Sequence, residues 1–422
     1  MFRIKREIHA LISLFVLSAI SSAADLGAGA AKVDITPPIG YPMWGYGARH
    51  DAPSLGVLDP LFARAVVLSA GKDKIAIVSL DLGRAPTRQS MSTIRKKVKE
   101  ATGIEHLFLV ASHTHHGPVI ELDNWPPKQS YVRQLEEKLA HVIIKAAKDQ
   151  RQARLGVASR QLDMNRNRHS KLAERPVDRE LIVVRIEDEK GKVIAHLVNF
   201  AAHAVMANSK ERKFSADFPG AMAALVEKET GAPCLFLQGA AGDLSPNPGK
   251  TPGPEKFGQA LGQQVLDLAK GIRCTIGKET TLKCRERDFT FKSRVDLTNP
   301  FIRTAYNMAF FKDLIDFYVN EYREGIRPHL TTVLLNGRIG FVGVSGEFFC
   351  SHSLNLKRRA RLEHLLFLGY CNDYQQYFPT IEAAAEGGYG ADSQVAPVEV
   401  GAGERMMDRA LMDLYEMRGK RK

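Results

Sequence analysis

Leu107-Phe-Leu-Val-Ala-Ser-His-Thr-His-His-Gly-Pro118 is an apolar run that ends in three histidines and a Gly-Pro stop. The apolar part predicts a buried strand over residues 107–111. Because alternate side chains of an extended backbone share a face, we expect His113 and His115 to point the same way and His116 to point elsewhere. Two imidazoles on one face can bind or flank Zn²⁺, whereas ordinary loop histidines would only make hydrogen bonds. The strand end is therefore a candidate metal site.

The composition is that of a globular protein. The chain has 422 residues, of which 44% are hydrophobic and 25% charged, so it is long enough to bury a substantial core. Its formal net charge of +12 favours binding to anionic surfaces, and one such partner is an anionic membrane that the protein would contact peripherally. The basic residues are spread without interleaved aromatic residues, so we expect no nucleic-acid interface.

The first residues predict an export signal. Arg3, Lys5 and Arg6 precede an apolar run over residues 10–20, and Ser21-Ser-Ala-Ala24 follows. This order is typical of a signal peptide over residues 1–24, and the apolar run is too short to span a bilayer. We expect an exported protein, periplasmic or secreted, with one domain over residues 25–422. The five cysteines include no C-x-x-C pair, which argues against a cysteine-cluster metal site.

Strand and helix patterns alternate along the chain and predict an α/β fold with mixed β-sheets layered with helices. Strands over residues 62–68, 75–80 and 107–111 alternate with helices over 87–102 and 131–148. Sites in such folds lie beyond the carboxyl ends of strands, where the histidines fall. Two further predictions are a short edge strand over residues 31–36, stopped by two prolines, and a single core-packed helix over 304–322.

Further polar residues fall at or after predicted strand ends. His203 follows a strand over residues 193–200, Ser245 lies in a turn of small residues, and Glu347 follows a strand over 339–344. Two histidines with a carboxylate form a known catalytic zinc set that leaves room for water. Taken singly, each of these groups is more often a core histidine, a salt-bridge partner or a turn cap.

Five segments give the chain a family resemblance. They are Gly29-Ala-Ala-Lys-Val-Asp-Ile-Thr36, Ser112-His-Thr-His-His-Gly-Pro118, Asn199-Phe-Ala-Ala-His-Ala204, Ser215-Ala-Asp-Phe-Pro-Gly220 and Gln238-Gly-Ala-Ala-Gly-Asp-Leu-Ser-Pro-Asn247. In this order they resemble the amidase domain of the neutral/alkaline non-lysosomal ceramidases, over about residues 29–393. The resemblance implies a zinc-dependent hydrolase of sphingolipid metabolism, which cleaves the N-acyl amide bond of ceramide (N-acylsphingosine) to a fatty acid and a free amine.

The resemblance also implies a ligand set for one Zn²⁺. The zinc histidines fall on His113 and His203 and the zinc carboxylate falls on Glu347. The zinc tyrosine falls on Tyr377, with Tyr374 as the alternative alignment.

The other implied site residues serve the substrate. His115 would lie beside the metal and act as a hydrogen-bond or proton-transfer partner. Ser245 matches a serine that acts either as nucleophile or as anchor for the substrate hydroxyl. Arg166 matches an active-site arginine, with Arg168 as the shifted choice, and Tyr389 lies close enough to replace a tyrosine that the family has before a Glu-Gly pair.

Several positions depart from the family pattern. His116 stands where the family has a small serine and Val119 where it has a glycine, which predicts a bulkier and more basic mouth to the site. Ala385 replaces the tyrosine before Glu386-Gly387, and we expect no counterpart of the family's C-terminal immunoglobulin-like domain. Two other functions therefore stay open: a zinc hydrolase acting on a non-lipid amide or ester, and a non-catalytic lipid- or glycan-binding protein.

Overall fold

The computed structural model describes residues 24–122 and 131–420. Residues 1–23, and with them nearly all of the expected signal peptide, lie outside the described residues. The described strands are β1 Leu26–Asp34, β2 Gly56–Val57, β3 Phe62–Ala70, β4 Asp73–Leu80, β5 His106–Ala111, β6 Arg151–Gln161, β7 Asn165–Asn167, β8 Glu180–Asp188, β9 Val193–Phe200, β10 Lys213–Phe214, β11 Cys234–Gln238, β12 Leu244–Pro246, β13 Leu282–Asp288, β14 His329–Leu335, β15 Ile339–Val344, β16 Glu347–Phe348, β17 His364–Leu368 and β18 Tyr377–Phe378. The described α-helices are α1 Arg88–Thr102, α2 Tyr131–Lys148, α3 Asp217–Thr230, α4 Pro254–Lys270, α5 Pro300–Ala309, α6 Lys312–Glu321, α7 Cys350–Ala360, α8 Ile381–Glu386 and α9 Ala402–Met417.

Eight strands form the larger sheet, in the order β11-β9-β8-β6-β1-β3-β4-β5. The pairs β4–β5 and β9–β11 are parallel and the other pairs are antiparallel, so the sheet is mixed. The predicted edge strand over residues 31–36 is wrong, because β1 lies inside this sheet and pairs with β3 along all of its length. The prolines come after Asp34, so they remove no hydrogen bond from the ladder.

The layers follow from the alternation of apolar side chains along the strands. On one face of the large sheet, Val78 and Leu109 pack with Ile94 of α1 and Leu135 of α2. Helices α3 and α4 cover the remainder of that face. The opposite face packs on a second sheet, β13-β14-β15-β17, and α7 and α9 cover the outer side of that sheet. The architecture is therefore helix, sheet, sheet, helix, which confirms the predicted α/β class.

Gln238 joins two distant strand ends. Its side-chain amide donates to the carbonyl of Ser112, after β5, at 2.9 Å and to that of Ala202, after β9, at 2.8 Å. A third segment joins them, because Ala111 donates its backbone N–H to the carbonyl of Tyr370 at 3.1 Å. The predicted strand-end groups therefore meet at one place.

The prediction of a single helix over residues 304–322 is wrong, because this stretch is broken between two helices. The chain forms α5 and α6, which are separated by two residues in extended conformation: Phe310, with φ −136° and ψ 168°, and Phe311, with φ −81° and ψ 150°. No glycine or proline breaks the helix. The break turns the rings of Phe310 and Phe311 toward a cleft, and local propensity gives no sign of that contact. No helix of the described residues combines the length and the apolar character needed to cross a membrane.

Lowering the pH from 6.5 to 4 is expected to destabilise the fold through His196 of β9. Burial, and then nearby Arg185, lowers the pKa of this imidazole from 6.5 to about 4. Because the folded chain resists protonation here, the contribution of His196 is complete above pH 6.5 and is lost as the pH falls to 4, by about 3 kcal/mol. Urea unfolding of the parent chain and of His196→Gln at both pH values tests this. The variant should lose less stability, and equal losses in both proteins would refute the assignment.

Candidate active site

Three histidines meet where the strand ends converge. The rings of His113, His115 and His203 bring one nitrogen each within 4.8 Å of one another, a grouping that could hold a metal ion. Glu347 joins them, with Oε2 3.1 Å from Nε2 of His203 and 3.4 Å from Nε2 of His113. His115 Nε2 lies 3.2 Å from His113 Nε2. The structure therefore brings together His113, His203 and Glu347, as expected, and places His115 within reach of the same point.

Backbone carbonyls fix the orientation of two of the rings. His113 follows the end of β5 in a turn with φ 63°, and its Nδ1 lies 2.8 Å from the carbonyl oxygen of Gly83. His203 Nδ1 lies 2.6 Å from the carbonyl oxygen of Ala241. A nitrogen that faces a carbonyl must carry the proton, so Nε2 of each ring keeps its lone pair. Metal-binding histidines are usually held in this way.

The charges of the cluster suit a cation. Burial, and then Arg168, lowers the pKa of His203 to about 3. Burial also lowers the pKa of His115 well below its usual value, and the neighbouring histidines lower it further. Burial alone would raise the pKa of Glu347, but the imidazoles of His113 and His203 that face it hold it well below its usual range. Near neutral pH the lowered pKa values leave His115 and His203 neutral beside an ionised Glu347.

Three tyrosines surround the carboxylate. Tyr374 donates its hydroxyl to Glu347 Oε1 at 2.5 Å and Tyr370 donates to Oε2 at 3.4 Å. Tyr377 lies opposite Glu347 in the β16–β18 pair, with its hydroxyl 3.4 Å from His203 Nε2. This geometry favours Tyr377 over Tyr374 as the ligand tyrosine and gives Tyr374 the task of orienting Glu347. Tyr370 was missed, although the spacing of tyrosines at 370, 374 and 377 is visible in the sequence.

The two candidate arginines differ in their surroundings. Arg166 is exposed in β7, and the structure records no hydrogen bond or ion pair for its side chain within the described ranges. Arg168 lies just past the end of β7, and its Nη2 donates to His203 Nε2 at 2.8 Å, to the carbonyl of Gly242 at 3.0 Å and to the hydroxyl of Tyr377 at 3.1 Å. The geometry favours the shifted choice, Arg168, because β7 stops at Asn167 and the chain then turns toward the cluster.

Ser245 and Tyr389 lie at the edges of the site. Ser245 is nearly buried in β12, and the preceding Leu244 accepts the backbone N–H of His203 at 3.1 Å. Its hydroxyl makes no hydrogen bond, to an imidazole or to any other group, within the described part of the chain. Tyr389 is 68% exposed, and its ring lies 5.7 Å from that of Tyr377.

A largely apolar cleft leads to the cluster. Val119, which stands where the family has a glycine, lines the cleft as expected, but His116 does not. The prediction that His116 makes the mouth more basic is wrong, because its ring is buried and accepts a hydrogen bond from Arg49 at 2.8 Å. Burial, and then Arg49, lowers the pKa of His116 to about 4. The apolar lining includes Trp44, Leu297, Phe310, Phe311, Leu314, Ile315 and Val395.

A buried ionic network beside the cleft was not predicted. Arg84 contacts Asp373 at 2.9 Å and Glu121 at 3.4 Å, and all three side chains are almost fully buried. Glu121 also accepts hydrogen bonds from the indole N–H of Trp44 at 3.0 Å and from the hydroxyl of Tyr318 at 3.3 Å. The network therefore fixes two aromatic walls of the cleft. Its only trace in the sequence is Arg84, a charged residue shortly after the strand predicted over residues 75–80.

Asp243 ties together the segments that carry the site, so Asp243→Ala is expected to destabilise the fold by about 2–4 kcal/mol. Its carboxylate accepts the backbone N–H of Cys350 at 2.7 Å and the side-chain amide of Asn167 at 2.7 Å. Removing it leaves the Cys350 N–H buried without a partner and leaves the Asn167 amide with the carbonyl of Pro176 as its acceptor. Chemical denaturation measures the effect, with Asp163→Ala as control because that side chain is 75% exposed. A loss no larger than that of the control would contradict this role.

The comparisons with known proteins agree with one another. The family model "Neutral/alkaline non-lysosomal ceramidase, N-terminal" matches residues 26–256. Neutral ceramidase of Drosophila pseudoobscura pseudoobscura is 26% identical over 302 residues, which cover 65% of this chain and 40% of that protein. The chain therefore spans less than half the length of that relative.

Two solved structures share the fold. The crystal structure of neutral ceramidase from Pseudomonas aeruginosa matches 94% of this chain and 75% of its own, with a TM-score of 0.76 and 18% sequence identity. A structure described as ceramidase complexed with C2 gives the same TM-score and identity and is matched over 76% of its length. At this identity the likeness shows the fold alone.

Proposed function

This chain belongs to the neutral/alkaline non-lysosomal ceramidase family, and we propose that it is a zinc-dependent amidohydrolase that cleaves the N-acyl amide bond of ceramide or a similar lipid. The products would be a fatty acid and a free amine. The observation that carries the proposal is the buried cluster of His113, His203 and ionised Glu347 at the end of an apolar cleft. Export, and peripheral contact with an anionic membrane surface, belong to the same proposal.

The residues present fit Zn²⁺. His113, His203, Glu347 and Tyr377 would hold it, since both imidazoles direct an Nε2 lone pair toward Glu347 and the Tyr377 hydroxyl lies beside them. Nitrogen and carboxylate ligands of this kind are the usual set of catalytic zinc sites. When bound, Zn²⁺ supplies polarisation of the amide carbonyl and lowers the pKa of water to about 7.

Arg168 supplies a donor for the charge that develops on the carbonyl oxygen. Its guanidinium is held by the Gly242 carbonyl and lies against the Tyr377 hydroxyl. Arginine stays protonated at any working pH, and in this part-buried place hydrogen bonds fix its N–H groups before the substrate arrives. Donors fixed in advance stabilise the oxyanion of amide hydrolysis more than they stabilise the neutral amide, so they speed the reaction.

His115 is placed to handle the proton of the leaving amine. It lines the cleft and its Nε2 faces His113, while its Nδ1 is buried without a hydrogen-bond partner in the described part of the chain. A neutral imidazole with one unused nitrogen can take up a proton from the attacking water and pass it to the departing nitrogen. The lowered pKa of His115 keeps it neutral between turnovers.

The cleft supports a lipid in preference to a sugar or a wall-derived amide. Its walls include Leu297, Phe310, Phe311 and Leu314, which offer apolar surface to an acyl chain. Burying an acyl chain against such walls is favourable by about 0.8 kcal/mol for each CH₂ group. Sugar hydroxyl groups placed against these apolar walls would lose their hydrogen bonds to water without gaining others.

Release of labelled fatty acid from N-acylsphingosine tests the proposed reaction. The purified protein should release fatty acid from this lipid and much less from an N-acylated amino sugar or a simple ester. Bound zinc with turnover only of the sugar or the ester would overturn the lipid assignment. Lipid binding with no hydrolysis of any of the three would overturn the enzyme assignment and favour a binding protein.

Ser245→Ala is expected to lower kcat/KM for N-acylsphingosine by about 10–100-fold, because we assign the hydroxyl to anchoring a substrate hydroxyl. An activated serine nucleophile needs a base within hydrogen-bond reach, and among the described residues no imidazole hydrogen-bonds to the Ser245 hydroxyl. The control is a substrate analogue without the lipid hydroxyls, on which the variant and the parent should act alike. A loss of about 10⁴-fold on both substrates, with a trappable acyl-enzyme in the parent, would show a nucleophile instead.

A further inference from the structure

Helix α5, Pro300–Ala309, is apolar on both sides. On its inner side, Tyr306 and, just past its end, Phe310 line the cleft. Its outer side faces solvent, with Phe301 87% exposed and Met308 77% exposed. The exposed residues Phe301, Thr304, Ala305, Met308 and Ala309 follow the spacing of one helix face, and we call them the outer stripe.

We propose that the outer stripe lies on a lipid surface, so that the mouth of the cleft opens at the boundary between lipid and water. The proposal rests on the function proposed above, since it explains how a poorly soluble amide would reach the buried cluster. Helices that lie in a membrane interface present large apolar side chains to the acyl region without crossing the bilayer.

The rim of the cleft continues the outer stripe. The hydroxyl of Tyr306 donates to the backbone carbonyl of Gln394 at 2.7 Å, which fastens α5 to the segment that carries exposed Tyr389. Tyr389 itself lines the cleft. Tyrosine suits a membrane interface because its ring is apolar and its hydroxyl stays hydrated. Exposed apolar and aromatic groups thus stand on both sides of the same opening.

The chemistry of α5 favours lipid over a protein partner. Its single charged residue is Arg303, and it carries no acidic side chain that anionic headgroups would repel. The whole chain has a formal net charge of +12, which adds attraction to an anionic surface. A helix of ten residues is about 15 Å long, so its outer stripe is far smaller than the roughly 800 Å² per partner that a stable protein interface buries.

Co-flotation with vesicles of phosphatidylcholine and a minority of phosphatidylglycerol tests the proposal. The double variant Phe301→Ser, Met308→Ser should bind these vesicles about 10²-fold more weakly than the parent. The control, Leu55→Ser with Leu58→Ser, removes two leucines that are 65% and 50% exposed and that do not line the cleft. It should bind within about twofold of the parent.

Activity adds a second measurement that separates this proposal from the proposed function. The ratio of hydrolysis in vesicles to hydrolysis of a soluble short-chain N-acyl substrate should fall about as much as vesicle binding does. Unchanged vesicle binding by the Phe301 and Met308 variant would overturn the role of α5, whatever the activity. A parent protein that is a dimer and that this variant turns into a monomer would also overturn it, because the outer stripe would then contact a second copy of the chain. If vesicle binding depends on α5 but neither substrate is hydrolysed, the proposed lipid-binding role of the outer stripe is supported and the proposed amidase activity is overturned.

Discussion

Glu347→Gln is expected to lower kcat/KM by about 10³-fold or more and to lower the zinc content of the purified protein. Glu347 faces the Nε2 atoms of His113 and His203, at 3.4 Å and 3.1 Å. Glutamine has nearly the same shape, but it removes the negative charge and presents either a neutral oxygen or an NH₂ group to the imidazoles. An NH₂ group cannot ligate a metal, and a neutral amide oxygen binds one less strongly than a carboxylate does.

Steady-state kinetics and elemental analysis of the same preparation measure this effect. The matched control is Glu324→Gln, because that side chain is 74% exposed and forms an ion pair with Arg327 at the surface. The control should keep both activity and zinc. Full activity in Glu347→Gln would remove the carboxylate from the proposed ligand set, and zinc at the parent level without activity would assign Glu347 to the substrate.

Arg168→Ala is expected to lower kcat by about 10²–10³-fold with little change in KM, because we assign Arg168 to stabilising the charge of the transition state. The chain offers a closely matched control two residues away. Arg166 has the same charge and a similar backbone position, but it is exposed and makes no recorded side-chain contact within the described ranges. Arg166→Ala should therefore stay within about twofold of the parent.

Arg168→Lys adds a geometric test. Lysine keeps the positive charge but not the planar fork of N–H donors that contacts both Gly242 and Tyr377. We expect it to recover only part of the lost activity. Equal losses in Arg166→Ala and Arg168→Ala would contradict the assignment, and a rise in KM alone would show that Arg168 only binds the substrate.

The strand ends were predictable because their signal is local. An apolar run followed by polar groups predicts a buried strand and the side at which it ends. The family resemblance was needed to choose His113, His203 and Glu347 among the polar groups at those ends. The distances between them depend on Gln238 and on the pairing of β16 with β18, both of which join residues far apart in sequence.

Other features depend on contacts that no local pattern carries. The assignment of β1 to a sheet edge failed because the position of a strand is set by its partners, here β3 and β6. The choice between Arg166 and Arg168 depended on where β7 stops, and a strand of three residues gives too short a pattern to show it. His116 was expected at the mouth, but Arg49 covers it from a distant loop.

The split of one predicted helix into α5 and α6 has the same cause. Phe310, Phe311 and Leu314 have the spacing of a core-facing helix, and the sequence contains no breaker between them. In the structure these residues line the cleft, which forms only when the large sheet, the loop around Trp44 and the helix pair are all in place. The apolar pattern predicted that these side chains are covered, but it did not predict which parts of the chain cover them.

Removal and return of zinc tests the central claim most directly. The purified protein is treated with a chelator, dialysed, and assayed for fatty-acid release from N-acylsphingosine before and after zinc is added back, with metal content measured at each step. We predict one zinc per chain at the start, loss of activity with loss of zinc, and recovery of activity as zinc returns to that ratio. Hydrolysis that continues at the full rate in the zinc-free protein would contradict the account.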